Sequence, residues 1–594
     1  MHTIRSIARS LALACVAVLA PLAHAQTAPE GNAHPQARAV NAASGELPNP
    51  FGVPMPGKPV EQAEKQAFAR ALNLEPIRGL AVFHSGRTKV LDTLARETVR
   101  SITGRKNYFE QAAQVGAVPA TGRSLYDPLF TLLDLTIDPL YYADKPLIFI
   151  NYLPLREAIL DLAFPGDKAA QERWMKLQRI TPRMLEANGA RVMDAHMSDG
   201  LFREAMNRVD RALSLWAESA SNMVLVAPAS RDLPWSHIST LPDEHPARKA
   251  ALELGAAWRA RDAARANAAI ATLGAELPKI NAGVYPTSRT SLEMVYNRAN
   301  AFEWGYWAYA VSLLSLLLAF GTGRRWLSVT GVGVLVVAIG LHAFAFITRC
   351  IIAERFAIQN QFESMTGISL FGAVVGLGLM LFKRQHLFAA AGAGLGFLVL
   401  ITATQTGIPG ENIEREAAIL NTSILLKYHV TTVLVSYALI TLGMIVSLFY
   451  LATHYLGRLT PRAASAAGAP AAVEISAAAL GAAEAGPAGR ERTLADLDRA
   501  QMTVLQLAFW ALGVGILLGA WWADHSWGRW WAFDPKETWA LLTWIVYLIV
   551  IHVRQVAGRN RALITAWLSV VGFIVMLWTY FGVNLLLPGL HAYA

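Results

Sequence analysis

Trp521–Trp544 reads WWADHSWGRWWAFDPKETWALLTW and holds seven of the chain's seventeen tryptophans around one polar knot. Arg529, Asp534, Lys536 and Glu537 fall within nine residues of one another. Apolar segments long enough to enter a bilayer lie on both sides. Indole is large, flat and amphipathic, and tryptophan collects where membrane meets water. An interfacial belt accounts for the aromatics but not for the fixed charges among them. Aromatic faces beside fixed charges suit a large planar ligand with acidic groups, and a tetrapyrrole is such a ligand. The stretch predicts an all-α polytopic membrane protein with a ligand-handling loop at one surface.

The rest of the composition narrows the class. Of 594 residues, 54% are hydrophobic and 16% charged, too apolar for a wholly soluble chain and too long for a bare bundle of a few helices. Residues 1–25 read as a secretory signal: Arg5 and Arg9, the apolar run LALACVAVLAPL, then Ala23-His24-Ala25. A retained anchor is the alternative, but the run is short for a span. Either way the following segment is expected outside the cytoplasm. Cys15 lies in the signal, so Cys350 alone would remain and no internal disulfide can form. The absence of Cys-x-x-Cys excludes a thioredoxin-type dithiol centre, and the absence of Cys-x-x-Cys-His excludes covalent c-type heme on this chain. The formal charge of +9 sits largely in short loops between hydrophobic runs and is not a nucleic-acid signal.

Residues 26–300 are polar and Ala-rich with helical periodicity, and predict an exported helix-rich domain after a flexible lead-in. Within it, GRTKVLDTLARETVRSITGRKNYF from Gly86 puts Val90, Leu91, Leu94, Thr98 and Ile102 on one helical face. His84, just before it, reads as a packing or surface residue. The membrane domain is expected over 301–594, with eight hydrophobic runs at about 305–320, 327–348, 366–382, 387–404, 430–452, 503–522, 539–553 and 562–582. If the preceding domain is exported, the inner loops hold Arg324-Arg325, Lys383-Arg384, the Arg458–Arg499 segment, and Arg554, Arg559 and Arg561, as the positive-inside rule requires. The outer loops are then 349–365, 405–429, 523–538 and the C-terminal tail. Residues 463–490 read as a low-complexity, disordered linker on the inner side.

Heme iron without a thiolate needs neutral imidazole on one or both axial faces, so histidines at membrane boundaries are the candidates. A lone boundary histidine is usually an amphipathic interface residue. His429, in LLKYHVTTVLVSYALITLG, and His591, in NLLLPGLHAYA, share a depth on the side of the tryptophan-rich loop. His552, in LIVIHVR, sits about 20 Å inward from Trp539, where an ionisable side chain is costly unless paired or used. Snorkelling beside Arg554 is its other reading. His342 lies nearer the outer end of its run, His525 within the tryptophan-rich loop, and His386 and His454 in inner loops, the last two without a role. In RFAIQNQFESM, the Arg355 guanidinium could hold a carboxylate of the ligand or pair with Glu363.

WGRWWAFDPKETW resembles the "WWD" signature of the cytochrome c assembly family, whose members handle heme on the outer face of energy-transducing membranes. Phe533 stands where that family usually has a third tryptophan. Arg355, Asn360, Phe362, Glu363 and Ser364 match the family's external loop, while Glu354 and Phe356 replace its Gly and Pro. The segment from Gly86 resembles one found upstream in longer members. Over roughly 330–594 the chain resembles the CcsA-type cytochrome c biogenesis proteins of the system II pathway.

That resemblance implies heme b as substrate, accepted from the inner side and presented outside to an apocytochrome c. It implies His429 and His591 as external iron ligands and His552 as a ligand in transit. Trp527, Trp530 and Trp531 would give the stacking face, and Asp534 would shape the loop through its Asp-Pro turn. It implies a bacterial inner membrane with the N-terminal domain and WWD loop periplasmic. It also implies partnership in a cytochrome c synthase with a ResB- or CcsB-like membrane subunit and a thiol-reducing protein. That subunit would supply the histidine facing His552, since no other histidine of this chain reads convincingly at its depth. Two other readings remain at this point: a system I-type heme delivery protein, and a transporter or receptor for another planar ligand.

The sidedness is open to test. With Cys350 replaced, cysteines introduced at Ser476 and Ala592 should respectively resist and accept an impermeant thiol reagent in intact cells. Labelling at Ser476 but not at Ala592 would overturn the topology.

Overall fold

The computed structural model describes residues 48–54, 61–110, 125–196, 198–415, 423–459, 487–587 and Gly589. The expected signal, the linker as far as residue 486, and His591 lie outside the described residues.

The N-terminal domain is helical with two short antiparallel pairs, the hairpin β1 (Ala81–His84) with β2 (Arg87–Val90) and the sequence-distant β3 (Ile148–Phe149) with β4 (Arg179–Ile180). The first pair corrects one residue of the helical face read from the Gly86 segment: Val90 ends β2 and caps the helix instead of lying on it. Ser85 and Gly86 both adopt positive φ, 49° and 77°, which is the two-residue turn that matches strand twist. The helix therefore begins at Leu91 and runs to Thr103, burying Leu94, Thr98 and Ile102. Around it packs one apolar core. Inside that core Asp134 pairs with Lys65 and accepts from Trp258 Nε1 at 2.9 Å and from the Tyr142 hydroxyl at 2.5 Å. A buried carboxylate with this many donors is satisfied, and the cluster is structural.

Eight long helices follow: α1 (Ala301–Thr322), α2 (Arg325–Ala353), α3 (Gln361–Lys383), α4 (His386–Gln405), α5 (Ile424–Leu459), α6 (Pro487–Trp527), α7 (Pro535–Val556) and α8 (Arg561–Leu577). They correspond to the eight hydrophobic runs in order. Seven of them are long and apolar enough to cross a membrane. In α1, Trp304, Tyr306, Trp307 and Tyr309 dilute the apolar character of a 22-residue helix, whose length of about 33 Å would still reach across. The chain is a multi-pass membrane protein. α1 packs on α2 and α4, α3 on α4 and α5, α5 on α6 and α8, and α7 on α8 and α6, around one continuous core.

Two helix ends differ from the hydrophobic boundaries. α6 continues to Trp527, because WWADHSW contains no breaker before Gly528 at φ 70°. α7 starts at Pro535, with Asp534 as N-cap and Glu537 closing a capping box. The connection is only Gly528–Asp534, so much of the tryptophan-rich stretch is helical. Beyond α8 the helix widens into a π turn at Trp578–Gly582 before Val583–Leu586.

Where α2, α3 and the α4–α5 connection meet, Glu363 is fully buried between two guanidiniums. Arg349 reaches its Oε1 at 3.1 Å, and Arg355 holds both oxygens at 2.5 and 3.0 Å. Arg349 also donates to the carbonyls of Gly410 and Glu411, each at 2.7 Å. Removing one member of a buried ion cluster leaves uncompensated charge and costs about 3–5 kcal/mol, whereas an exposed pair contributes about 0–1 kcal/mol. Glu363→Ala should therefore lower the melting temperature in detergent markedly, and Arg289→Ala, which breaks the more exposed pair with Glu354, should barely change it. Equal shifts would contradict this assignment.

Candidate functional site

The connections α2–α3, α4–α5 and α6–α7 gather at one end of the bundle, and beneath them opens a cleft of about 1420 Å³, its mouth included. It brings together three segments singled out in the sequence: the loop after Arg355, the start of α5, and the tryptophan-rich connection.

His429 projects into the cleft from α5. Its Nδ1 lies 2.8 Å from the Gly515 carbonyl of α6, and a carbonyl only accepts, so Nδ1 carries the proton. Nε2 then holds the lone pair that a metal requires. A ring at this depth needs a gap in α6, and Gly519 provides it. A β-carbon there would stand 2.5 Å from His429 Cε1.

Trp530 and Trp531 line the cleft from the α6–α7 connection. Trp530 is largely exposed. Trp527 does not line it. It packs edge-on against Trp522 with ring centres 4.9 Å apart, and Trp522 reaches the cleft in its place. Asp534 is buried and its Oδ2 accepts from the Lys536 amide at 3.2 Å, while Glu537 Oε2 accepts from the Ala532 and Asp534 amides at 2.9 and 3.3 Å. These carboxylates hold the loop's shape. Phe533 is exposed at a positive φ of 55°, presented by that loop. Gly589, two residues before His591 in sequence, lies against Asp534.

Arg355 is not among the cleft-lining residues; its guanidinium is engaged by Glu363. His552 is exposed on α7 in line with Leu542, Ile545, Ile549 and Val556, and its Nδ1 is 2.8 Å from the Leu548 carbonyl. His342 is fully buried among α1–α4, edge-on to Phe302 and Tyr309, and does not share a surface with His552. His525 is exposed and bonds the carbonyl of Trp521 at 3.0 Å. Cys350 is buried, its sulfur accepting from the Ala357 amide at 3.3 Å.

Sequence reasoning singled out Asn360 and Ser364 but missed the rest of the polar wall they belong to: Gln359, Gln361, Tyr580 and Asn584. Neutral amides scattered over 220 residues leave no spacing signal. It also missed the function of the Gly86 segment. Arg87 Nε donates to the Ile413 carbonyl at 2.5 Å and pairs with Glu293 at 3.1 Å, and Arg100 pairs with Glu411 at 2.5 Å. The N-terminal domain thus grips from one side the same α4–α5 connection that Arg349 holds from the other. His84 at the hairpin is pushed down to about 4 by burial and then by Lys89 and Arg87, so it is neutral at ordinary pH and adds no charge here.

A multi-pass helical protein whose inter-helix loops enclose a histidine-bearing aromatic cleft defines the class. The sequence profile described as cytochrome C assembly protein matches residues 300–591. The chain is 31% identical to the cytochrome c biogenesis protein CcsA of Synechococcus elongatus over 311 residues, 47% of this chain and 94% of that protein. It is 28% identical to CcsA of Gloeobacter violaceus over 317 residues, 48% and 90% of the two chains. Protein NrfI of Wolinella succinogenes is 29% identical over 318 residues, 52% of this chain but only 32% of NrfI. The chain belongs to the cytochrome c assembly protein family and is of the CcsA type. The profile match begins at residue 300, so the N-terminal domain lies outside it.

The close approach at Gly519 gives a test by sign. Gly→Ala within a helix ordinarily stabilises by about 0.5–1 kcal/mol. Here the new methyl displaces the imidazole from the Gly515 carbonyl, and Gly519→Ala should lower the melting temperature. A rise would mean His429 does not occupy this position.

Proposed function

We propose that this protein of cytochrome c biogenesis takes heme b from the inner side of a bacterial cytoplasmic membrane and presents it at the outer face to apocytochrome c. The observation that carries this reading is the cleft itself: His429, its Nδ1 held on the Gly515 carbonyl, stands beside indole faces, under loops that open to one side of the bundle. His429 supplies one axial ligand and His591 the other, and Trp530 and Trp531 stack on the ring. His552 serves as a ligand during transit. Its place on the outward stripe of α7 favours completion of that inner site by a second membrane subunit, of the ResB or CcsB kind.

At the outer face two cysteine thiols of the apoprotein add across the two vinyl groups. Each sulfur bonds to one vinyl carbon and its proton goes to the other, with no net oxidation and no leaving group. The chemistry requires reduced thiols, so a separate thiol-reducing protein belongs to the pathway. The contribution of this chain is orientation: holding heme fixed while the peptide arrives converts an encounter of several components into a local one.

A spectrum of the protein purified in mild detergent tests the ligand assignment. Two imidazoles on one iron give a low-spin spectrum, and removing one opens a coordination position while leaving the stacking surface in place. His429→Gly or His591→Gly should reduce heme content or shift the spectrum, with partial restoration by added imidazole, and His525→Ala should do neither. Three variants with the unaltered spectrum would contradict the external site.

A further inference from the structure

One wall of the cleft is polar, and its hydrogen bonds run in a fixed sense. Asn584 Nδ2 donates to the Tyr580 carbonyl at 2.7 Å. A carbonyl only accepts, so this bond settles which way the Asn584 amide faces. The same Nδ2 approaches Gln361 Oε1 at 3.4 Å, which orients Gln361 in turn, with its Nε2 directed elsewhere. There Nε2 meets no acceptor, although Gln361 is only 7% exposed. The π turn makes this arrangement possible: it carries Tyr580, whose hydroxyl lies 2.5 Å from Ser364 Oγ, against the start of α3. Single π turns recur at functional sites, and a buried donor with no partner is unfavourable unless a ligand satisfies it.

Lys536 lines the same cleft from the first turn of α7. Its neighbours are committed, Asp534 to the N-cap and Glu537 to the loop amides. Among the described residues no carboxylate lies within ion-pair distance of its ammonium. The other cation suggested for an acidic ligand group, Arg355, is held by Glu363. Among the described residues, the cleft lining therefore includes an ammonium outside ion-pair distance of any carboxylate, the neighbouring Glu537 included, and a glutamine Nε2 without an acceptor.

We propose that Gln361 and Lys536 form a carboxylate subsite that receives the acidic edge of the bound ligand. The inference rests on the heme reading and deepens it: the carboxylates are the heme propionates. In heme b the two vinyl groups lie on the half of the ring away from the propionates. Anchoring the propionate edge against Gln361 and Lys536 fixes the ring's rotation about the His429–iron axis, and so fixes where the vinyl groups stand when thiols arrive. Gln361 and Lys536 are positioning residues for the addition; neither touches the reacting atoms.

The test compares two ligands, heme b and its dimethyl ester, which keeps iron, ring and vinyl groups but lacks the negative charges. Both are titrated by absorbance into detergent-purified protein stripped of heme. The unaltered protein should bind heme b at least roughly tenfold more tightly than the diester, as expected for a charge-assisted hydrogen bond. Lys536→Met and Gln361→Leu should each weaken heme b toward the affinity of the diester, leave the diester unchanged, and preserve the spectral type of the bound iron. Unchanged diester binding also shows that the variants fold. Equal affinity of the unaltered protein for both ligands, or equal weakening of both in the variants, would overturn the subsite while leaving His429 ligation standing. Saturable binding of neither ligand would overturn the heme reading, and the subsite with it.

Discussion

A fully buried Glu363 held by Arg349 and Arg355 is the interaction on which the cleft-bearing end of this protein depends. Water cannot satisfy these charges, so each must find its partner inside the fold. In doing so they fix the end of α2, the start of α3 and the α4–α5 connection with respect to one another. The cleft wall at Asn360 and Gln361 inherits its position from that cluster. The N-terminal domain reinforces it through Arg87 and Arg100, and what would be a free loop in a bare bundle becomes a clamped one.

The same logic organises the tryptophan-rich connection. Its carboxylates are engaged by backbone amides, although Glu537 borders the cleft. Asp534 caps α7 and Glu537 accepts two loop amides, leaving Trp530, Trp531 and Lys536 to face the cleft. A seven-residue connection between two long helices is short enough to be stiff, and the indoles gain a defined orientation from it. His429 is oriented separately, by α6 through Gly515 and Gly519. The indole faces and the His429 imidazole are thereby set by different elements.

Much of the fold was legible because a bilayer imposes its own length scale. All eight hydrophobic runs became helices in order, and the three segments with unusual residues met at one cleft. Helix ends were less legible: tryptophan and histidine lower hydropathy without breaking a helix, so α6 outran its apolar run by five residues to Trp527. Arg355 carried two readings in the sequence, and only its distances to Glu363 distinguish what it touches. Gln361, Tyr580 and Asn584 were invisible, because a cleft wall made of neutral groups more than 200 residues apart has no local pattern. The segment from Gly86 had a recognisable sequence but no chemistry until its contacts with residues 411–413, more than 300 positions away, were seen.

In the proposed reading heme occupies the cleft beneath the loops, with iron on His429. A cryo-electron microscopy reconstruction of the purified, heme-loaded protein tests it most directly. Planar density against Trp530 and Trp531, joined to His429 Nε2, is the expected result. Heme density elsewhere in the bundle, with this cleft closed or filled only by side chains, would contradict it.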